Sequence, residues 1–199
     1  MRYAAGHREE TRRRVVEVAA RRFRKDGIEA AGVAGLMADA GLTHGGFYAH
    51  FSSKEALVRD AIVAALATSR DHLAAEAATA RTEGRDGLEA VVTAYLRPGH
   101  RDRPEIGCAI ASLAAELARH PDETREVLTD QIRATVAVIR AELPPAFAAS
   151  EADTAAGAIF STMVGALQMA RAVTDPALSD SFLSGAKAAA LAIGRQPPR

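Results

Sequence analysis

Residues 43–54 read Thr43-His44-Gly45-Gly46-Phe47-Tyr48-Ala49-His50-Phe51-Ser52-Ser53-Lys54. Thr43 can cap a short helix over 44–50 by accepting a hydrogen bond from the amide of Gly45 or Gly46. Phe47 and Phe51 stand four apart, so both can turn into one small core. His44, Gly45, Tyr48 and His50 are then left facing outward. Two consecutive glycines in a short helix cost roughly 1 kcal/mol each against alanine. Missing side chains are useful where a surface must come close to another backbone or to a base edge. Immediately upstream, residues 33–40 read as a second short helix, stopped by Gly41, a residue suited to positive φ. This order and these lengths predict a helix-turn-helix, in which one helix enters the DNA major groove while its partner braces it.

Further helices are predicted on both sides of this motif. Over 8–26, Val15, Val16, Ala19, Ala20 and Phe23 form an apolar stripe, with Phe23 placed to meet Phe47, Phe51 and Leu36. Arg12, Arg13, Arg14, Arg21, Arg22, Arg24 and Lys25 occupy the other faces, either as a solvated surface or as phosphate contacts, and Gly27 supplies a C-cap. Downstream, Ser52 and Glu55 have the spacing of a capping box. The helix they open runs from Lys54 to about residue 81, with its first amides and Lys54 placed to hold a phosphate. Periodicity predicts later helices around 88–96, 106–119, 122–142, 151–173 and 179–194, with a loop over 97–105. Pro197-Pro198 reads as a frayed tail.

Hydrophobic residues make up 48% of the 199, alanine is abundant, and aromatic and β-branched residues are sparse. That composition favours an all-α fold. The formal net charge is zero, but residues 1–54 hold ten Lys/Arg against six Asp/Glu, and the remainder holds fifteen against nineteen. A basic end on an acidic body fits nucleic-acid binding by one part of the chain. The single cysteine excludes an internal disulfide and fits a cytoplasmic location. The first residues lack the apolar core of a signal peptide, and no run approaches the roughly 18 continuous apolar residues of a membrane helix. No His, Cys or carboxylate spacing marks a metal site, and no acid–base pair stands beside a nucleophile, so an enzyme is not expected and no cofactor is implied.

Gly41-Leu42-Thr43-His44-Gly45-Gly46-Phe47-Tyr48-Ala49-His50-Phe51-Ser52-Ser53-Lys54-Glu55-Ala56-Leu57 closely resembles the recognition helix and following helix start of TetR-type (TetR/AcrR) transcriptional regulators. The likeness is close over residues 8 to 60. It implies a DNA-binding domain over 1–53 and a roughly six-helix ligand-binding and dimerisation domain over 54–199. It also implies a homodimer on a palindromic double-stranded operator, usually a repressor released by a small molecule. By position, Thr43, His44 and Gly45, with Gly46 beside them, lie where the family reads bases or adjacent phosphates. Tyr48, His50 and Lys54 lie where it grips the backbone. With no Arg, Asn or Gln on the recognition segment, part of the specificity is expected from operator shape. The chain departs from the family at Ala31-Gly32, where many members carry a Thr or Ser cap; glycine is an acceptable substitute.

In the C-terminal part, small residues of the last two helices (Ala155, Ala156, Gly157, Ala158, Gly165 and Ala166) permit close packing, and the resemblance makes these helices the dimer interface. Leu66, Tyr95, Cys108, Leu113, Phe160, Met163 and Met169 are the candidates for lining an effector pocket. The scarcity of buried charge candidates favours an apolar or aromatic effector. Cys108, at the start of a helix, is either a small buried apolar residue or an electrophile sensor of the kind some relatives use. A regulator controlled by a protein partner is a further alternative.

Overall fold

The computed structural model describes residues 2–195; the expected tail at Pro197-Pro198 lies outside them. The described residues are helical and contain no strand. Helix α1 spans Arg2–Asp26 and α2 spans Val33–Asp39. A 3₁₀ turn follows over His44–Ala49. Then come α3 (Lys54–Thr82), α4 (Gly87–Tyr95) and a single helical turn, α5 (Pro98–Arg101). A second 3₁₀ turn, Pro104–Ile106, leads to α6 (Ala109–Leu117), α7 (Asp122–Ala141), α8 (Ala149–Ala172) and α9 (Pro176–Arg195).

The 29-residue α3 is the spine. Its first turns are tied to α1 by an Arg12–Asp60 ion pair, and its later turns reach α7 through Arg70–Gln131 and Arg81–Glu142 contacts. One continuous apolar core runs from Val15, Phe23 and Phe47 through Leu57, Ile62 and Leu73 to Tyr95, Ile159 and Met163. The N-terminal helices therefore share their core with the rest of the chain. Helices α8 and α9 pair along their length. None of the described helices is long and apolar enough to cross a membrane.

The terminators follow backbone chemistry. Gly27 closes α1 at φ 89° and Gly41 closes α2 at φ 70°, a region L side chains rarely adopt. Beyond Gly41 the Leu42 amide reaches back to Met37 O at 2.9 Å, the long return bond of a Schellman ending.

Four local expectations need correction. Ser53, not Ser52, caps α3, accepting from Ala56 N at 3.1 Å, and Glu55 is engaged elsewhere. Thr43 makes no side-chain cap; its backbone carbonyl accepts from Gly46 N at 3.0 Å. Pro98 opens a helical turn inside the expected loop, because its fixed φ suits a first helical position. Helix α9 begins at Pro176, not near 179, with Asp175 Oδ1 accepting from Ala177 N and Leu178 N at 2.9 and 3.3 Å.

Phe47 is buried to within 1% and stacks on Phe51 with ring centroids 5.4 Å apart. Phe47→Ala is expected to destabilise the fold by about 3–5 kcal/mol, read as a lower midpoint in urea unfolding.

Candidate nucleic-acid interface and its link to the C-terminal groove

The recognition segment is 3₁₀, not α-helical, held by i→i−3 bonds such as His50 N to Phe47 O at 2.9 Å. Two glycines weaken an α-helical alternative, and burial of Phe47 and Phe51 sets the orientation. Thr43, His44 and Gly45 are exposed, Gly46 is half-buried, and Tyr48 stands 73% exposed with its ring edge-on to Phe47. These five form one contiguous outer surface. His50 is half-buried, and its Nδ1 is enclosed without a partner. Lys54 is less free than the sequence suggests: its ammonium donates to Ile28 O at 2.6 Å, bracing the α1–α2 connection. Two of its three protons remain for a phosphate.

The arginines of α1 divide between two tasks. Arg12 pairs with Asp60 and lies over the Phe51 ring, 5.0 Å from its centroid. Arg22 bonds Asp26 and Asp39 at 2.6 and 2.5 Å. Arg24 turns into the C-terminal part. Arg13, Arg14, Arg21 and Lys25 remain exposed. Sequence reasoning missed Arg8, whose guanidinium donates to Ala49 O at 2.5 Å and fastens the end of the recognition turn to α1. No local signal marks that bond, because the partners are 41 residues apart.

A polar clasp joins this face to the body of the protein. Glu116, near the end of α6, accepts from Ile28 N at 3.0 Å and from Glu29 N at 2.7 Å. Glu55 accepts from Thr124 at 2.5 Å and lies 3.0 Å from His120 Nδ1. Burial works to raise the Glu55 carboxyl, but the Thr124 and His120 bonds outweigh it and hold it below the usual range. At the other end of α6, Arg24 donates to Gly107 O at 3.2 Å, while its Nε is buried without a partner. Helix α6 is nine residues, about 13 Å long. One end touches the connection between α1 and α2, and the other abuts a groove.

That groove, about 310 Å³, lies among α3, α4, α5 and the 104–106 turn. Leu73, Tyr95 and Gly107 are its buried lining; His100, Ile106, Arg97, His72, Ser69 and Thr68 complete it. Of the expected lining residues only Tyr95 is placed here. Leu66, Leu113, Phe160 and Met163 are core, Cys108 is buried just behind Gly107, and Met169 is 49% exposed on the outer face of α8. Sequence periodicity marks apolar positions without saying which border a void. His100 pins the groove: Nδ1 lies 2.6 Å from Tyr95 O, and Nε2 accepts from Cys108 N at 2.8 Å. A side chain at Gly107 would begin 2.7 Å from Arg171 Nη2 and 2.8 Å from the His100 ring, so a larger residue would displace the His100 ring.

A helical protein with an exposed recognition turn, braced on a long helix and coupled to a grooved helical body, has the architecture of a DNA-binding transcription regulator. The comparisons agree. The model of bacterial regulatory proteins of the tetR family matches residues 15–61, and that of the tetracyclin repressor-like C-terminal domain matches residues 84–186. The chain belongs to the TetR family of transcriptional regulators. Its fold is similar to the reduced form of E. coli NemR, with a TM-score of 0.76 at 20% identity, covering 96% of this chain and 100% of that one. A TetR-family regulator from Cytophaga hutchinsonii gives 0.74 at 20% identity, covering 96% and 98%. RolR bound to resorcinol gives 0.59 at 21%, covering 98% of each. No curated protein matches the chain.

Two outcomes follow. Burial pushes His100 down to about 4, helped by Arg171, Arg97 and His72 and opposed by its bond to Tyr95. Its unfolded value is about 6.5. Acid therefore protonates the unfolded chain first, and stability falls as pH drops from about 6.5 towards about 4, by up to about 3 kcal/mol. Urea midpoints at pH 7 and pH 5 should show this slope in the wild type and a shallower one in His100→Gln. Glu116→Ala leaves the part-buried Ile28 amide without its acceptor, while water can replace it at the exposed Glu29 amide, and should cost about 1 kcal/mol, measured by thermal unfolding at pH 7.

Proposed function

We propose that the protein is a repressor that binds a palindromic operator as a homodimer and is released by a small apolar or aromatic effector held in its C-terminal domain. The carrying observation is the recognition turn, where Thr43, His44, Gly45 and Tyr48 are exposed while Phe47 on the same turn is buried. Tyr48 and Thr43 suit phosphate oxygens, and His44 is the long polar side chain placed to meet a base edge. His50 and Lys54 complete the grip, with Lys54 also bracing Ile28.

The dimer reading places α8 and α9 at the interface. No charged side chain occurs from Thr154 to Ala170. Ala158, Ser161, Met169, Leu178, Gly185 and Ala189 are exposed on these two helices. An uncharged exposed face of small residues is what close helix packing between two copies requires. In this reading, effector occupancy shifts Gly107 and Cys108, α6 carries the shift to Glu116, and the α1–α2 connection reorients the recognition turn. RolR, similar in fold, holds the ligand resorcinol, an aromatic molecule, which supports an aromatic ligand here.

A second reading, electrophile modification of Cys108, has its own observation. Burial pushes the Tyr95 phenol well up, and Cys108 beside it adds to that. The Tyr95 hydroxyl has no well-formed hydrogen-bond partner, so a polar adduct on the thiol would give it one. A Cys108→Ser variant that still releases DNA with reactive aldehydes or quinones would remove this reading.

Selection from a random duplex pool tests the main one. The wild type should enrich a palindrome. Tyr48→Ala should weaken binding across all sequences, and Lys54→Ala should do so with a salt slope smaller by about one. In sedimentation the wild type should run as a dimer, and Ala158→Arg should shift it towards monomer and lose operator affinity. No enrichment at low salt, or a wild-type monomer, would refute the proposal.

A further inference from the structure

The groove beneath α4 and α5 is chemically lopsided. Its floor is apolar: Leu73, the Tyr95 ring and Ala94, with the half-exposed Ile106 at the rim. Its polar groups gather at the mouth, where Ser69, His72 and Arg97 stand together, and no carboxylate lines it. Arg97 is exposed, and among the described residues its guanidinium enters no ion pair or hydrogen bond, although its backbone carbonyl accepts from His100 N and Arg101 N. Its other side borders a second depression with Glu76, Asp86 and Glu89, yet it pairs with none of them. Behind the floor, Arg171 donates to His100 O at 2.8 Å and Arg101 O at 3.1 Å, adding a second fixed positive charge near the groove. Burial, with the Arg171 and Arg97 charges nearby, keeps His100 neutral at pH 7, so His100 adds no positive charge to the groove.

A guanidinium without a partner, at the mouth of an apolar slot, suits an oxyanion carried on an apolar body. A planar carboxylate takes two parallel N–H bonds from an arginine fork. The slot of about 310 Å³ is at the lower end of ligand-pocket sizes, enough for a single aromatic ring with a short acidic arm. We propose that this groove binds a small aromatic carboxylate, with the acid on Arg97 and Ser69 and the ring between Leu73, Tyr95 and Ile106. The proposal rests on the reading that the effector acts in the C-terminal domain, and it narrows that effector from aromatic molecules in general to aromatic acids.

The test uses the full-length protein and matched pairs of probes: benzoate, phenylacetate and 3-phenylpropionate, each against its neutral amide. Calorimetric titration at pH 7 should show at least one acid binding about tenfold to a hundredfold tighter than its amide. Arg97→Gln should abolish that preference, while Arg85→Gln, outside the groove, should keep it. Arg97 is exposed, so its replacement leaves the fold intact, which a thermal melt verifies. Equal binding of acid and amide, a preference that survives Arg97→Gln, or no binding by any of the three acids would overturn the proposal. The same acid is then added to the protein–operator complex and followed by fluorescence anisotropy. Arg97-dependent binding without DNA release would leave the ligand class standing and sink the effector reading instead.

Discussion

A six-residue turn with two adjacent glycines has almost no helical stability of its own. Burial of Phe47 and Phe51 against α1 and α2 is what makes it a fixed surface. Those two rings anchor the turn from behind, and the Arg8 bond to Ala49 O fastens its end. The glycines can then stay bare where a base edge or phosphate must come close. The arrangement separates two tasks: stability comes from aromatic residues facing inward, and Thr43, His44 and Tyr48 are left facing outward for the proposed contact with DNA. Because Phe51 also packs under the Arg12 guanidinium, the turn is bound to α1 by packing as well as by hydrogen bonds.

The second constraint is the route by which the C-terminal domain can reach that turn. Helix α3 is continuous between the two parts, and its apolar face belongs to one core. A rigid hydrophobic joint of this kind resists small adjustments. The polar joint at α6 is different. It consists of Glu116 on two backbone amides and Arg24 on Gly107 O, each a hydrogen bond with a charged partner, with Lys54 of α3 bracing the same α1–α2 connection through Ile28 O. Such bonds can be exchanged for water or for another acceptor without opening a cavity.

How far the sequence led depended on the range of the interaction. The all-α fold, the recognition turn and most helix spans follow from periodicity and from Gly27 and Gly41, which are local signals. Asp175-Pro176 was equally local, a cap followed by a first-turn proline, and places the α9 start three residues earlier than hydrophobic periodicity alone. The misplaced α3 cap has a different origin. Glu55 had the right spacing for a capping box, but a tertiary pair, His120 and Thr124, competes for its carboxylate. The groove was the least legible part. Tyr95 was anticipated, but Arg97, His72 and His100 meet across α3, α4 and α5, and nothing in their spacing announces the void between them. Met169 illustrates the reverse: an apolar residue on a helix dominated by buried positions, turned outward by the angular offset of one residue.

The energetics of the polar joint bear on regulation. Moving a two-state equilibrium from 1:99 to 99:1 takes about 5.5 kcal/mol of differential binding. Hydrogen bonds to charged groups contribute roughly 1.5–3 kcal/mol each. The Glu116 pair and the Arg24 bond together therefore fall in the range that a small ligand can outweigh. Arg24 already tilts this balance. Its guanidinium is pulled out of water by α6 and the 104–106 turn, yet its Nε gains no acceptor there. Burial of an unsatisfied charged donor is unfavourable, so the joint is held below its greatest attainable strength.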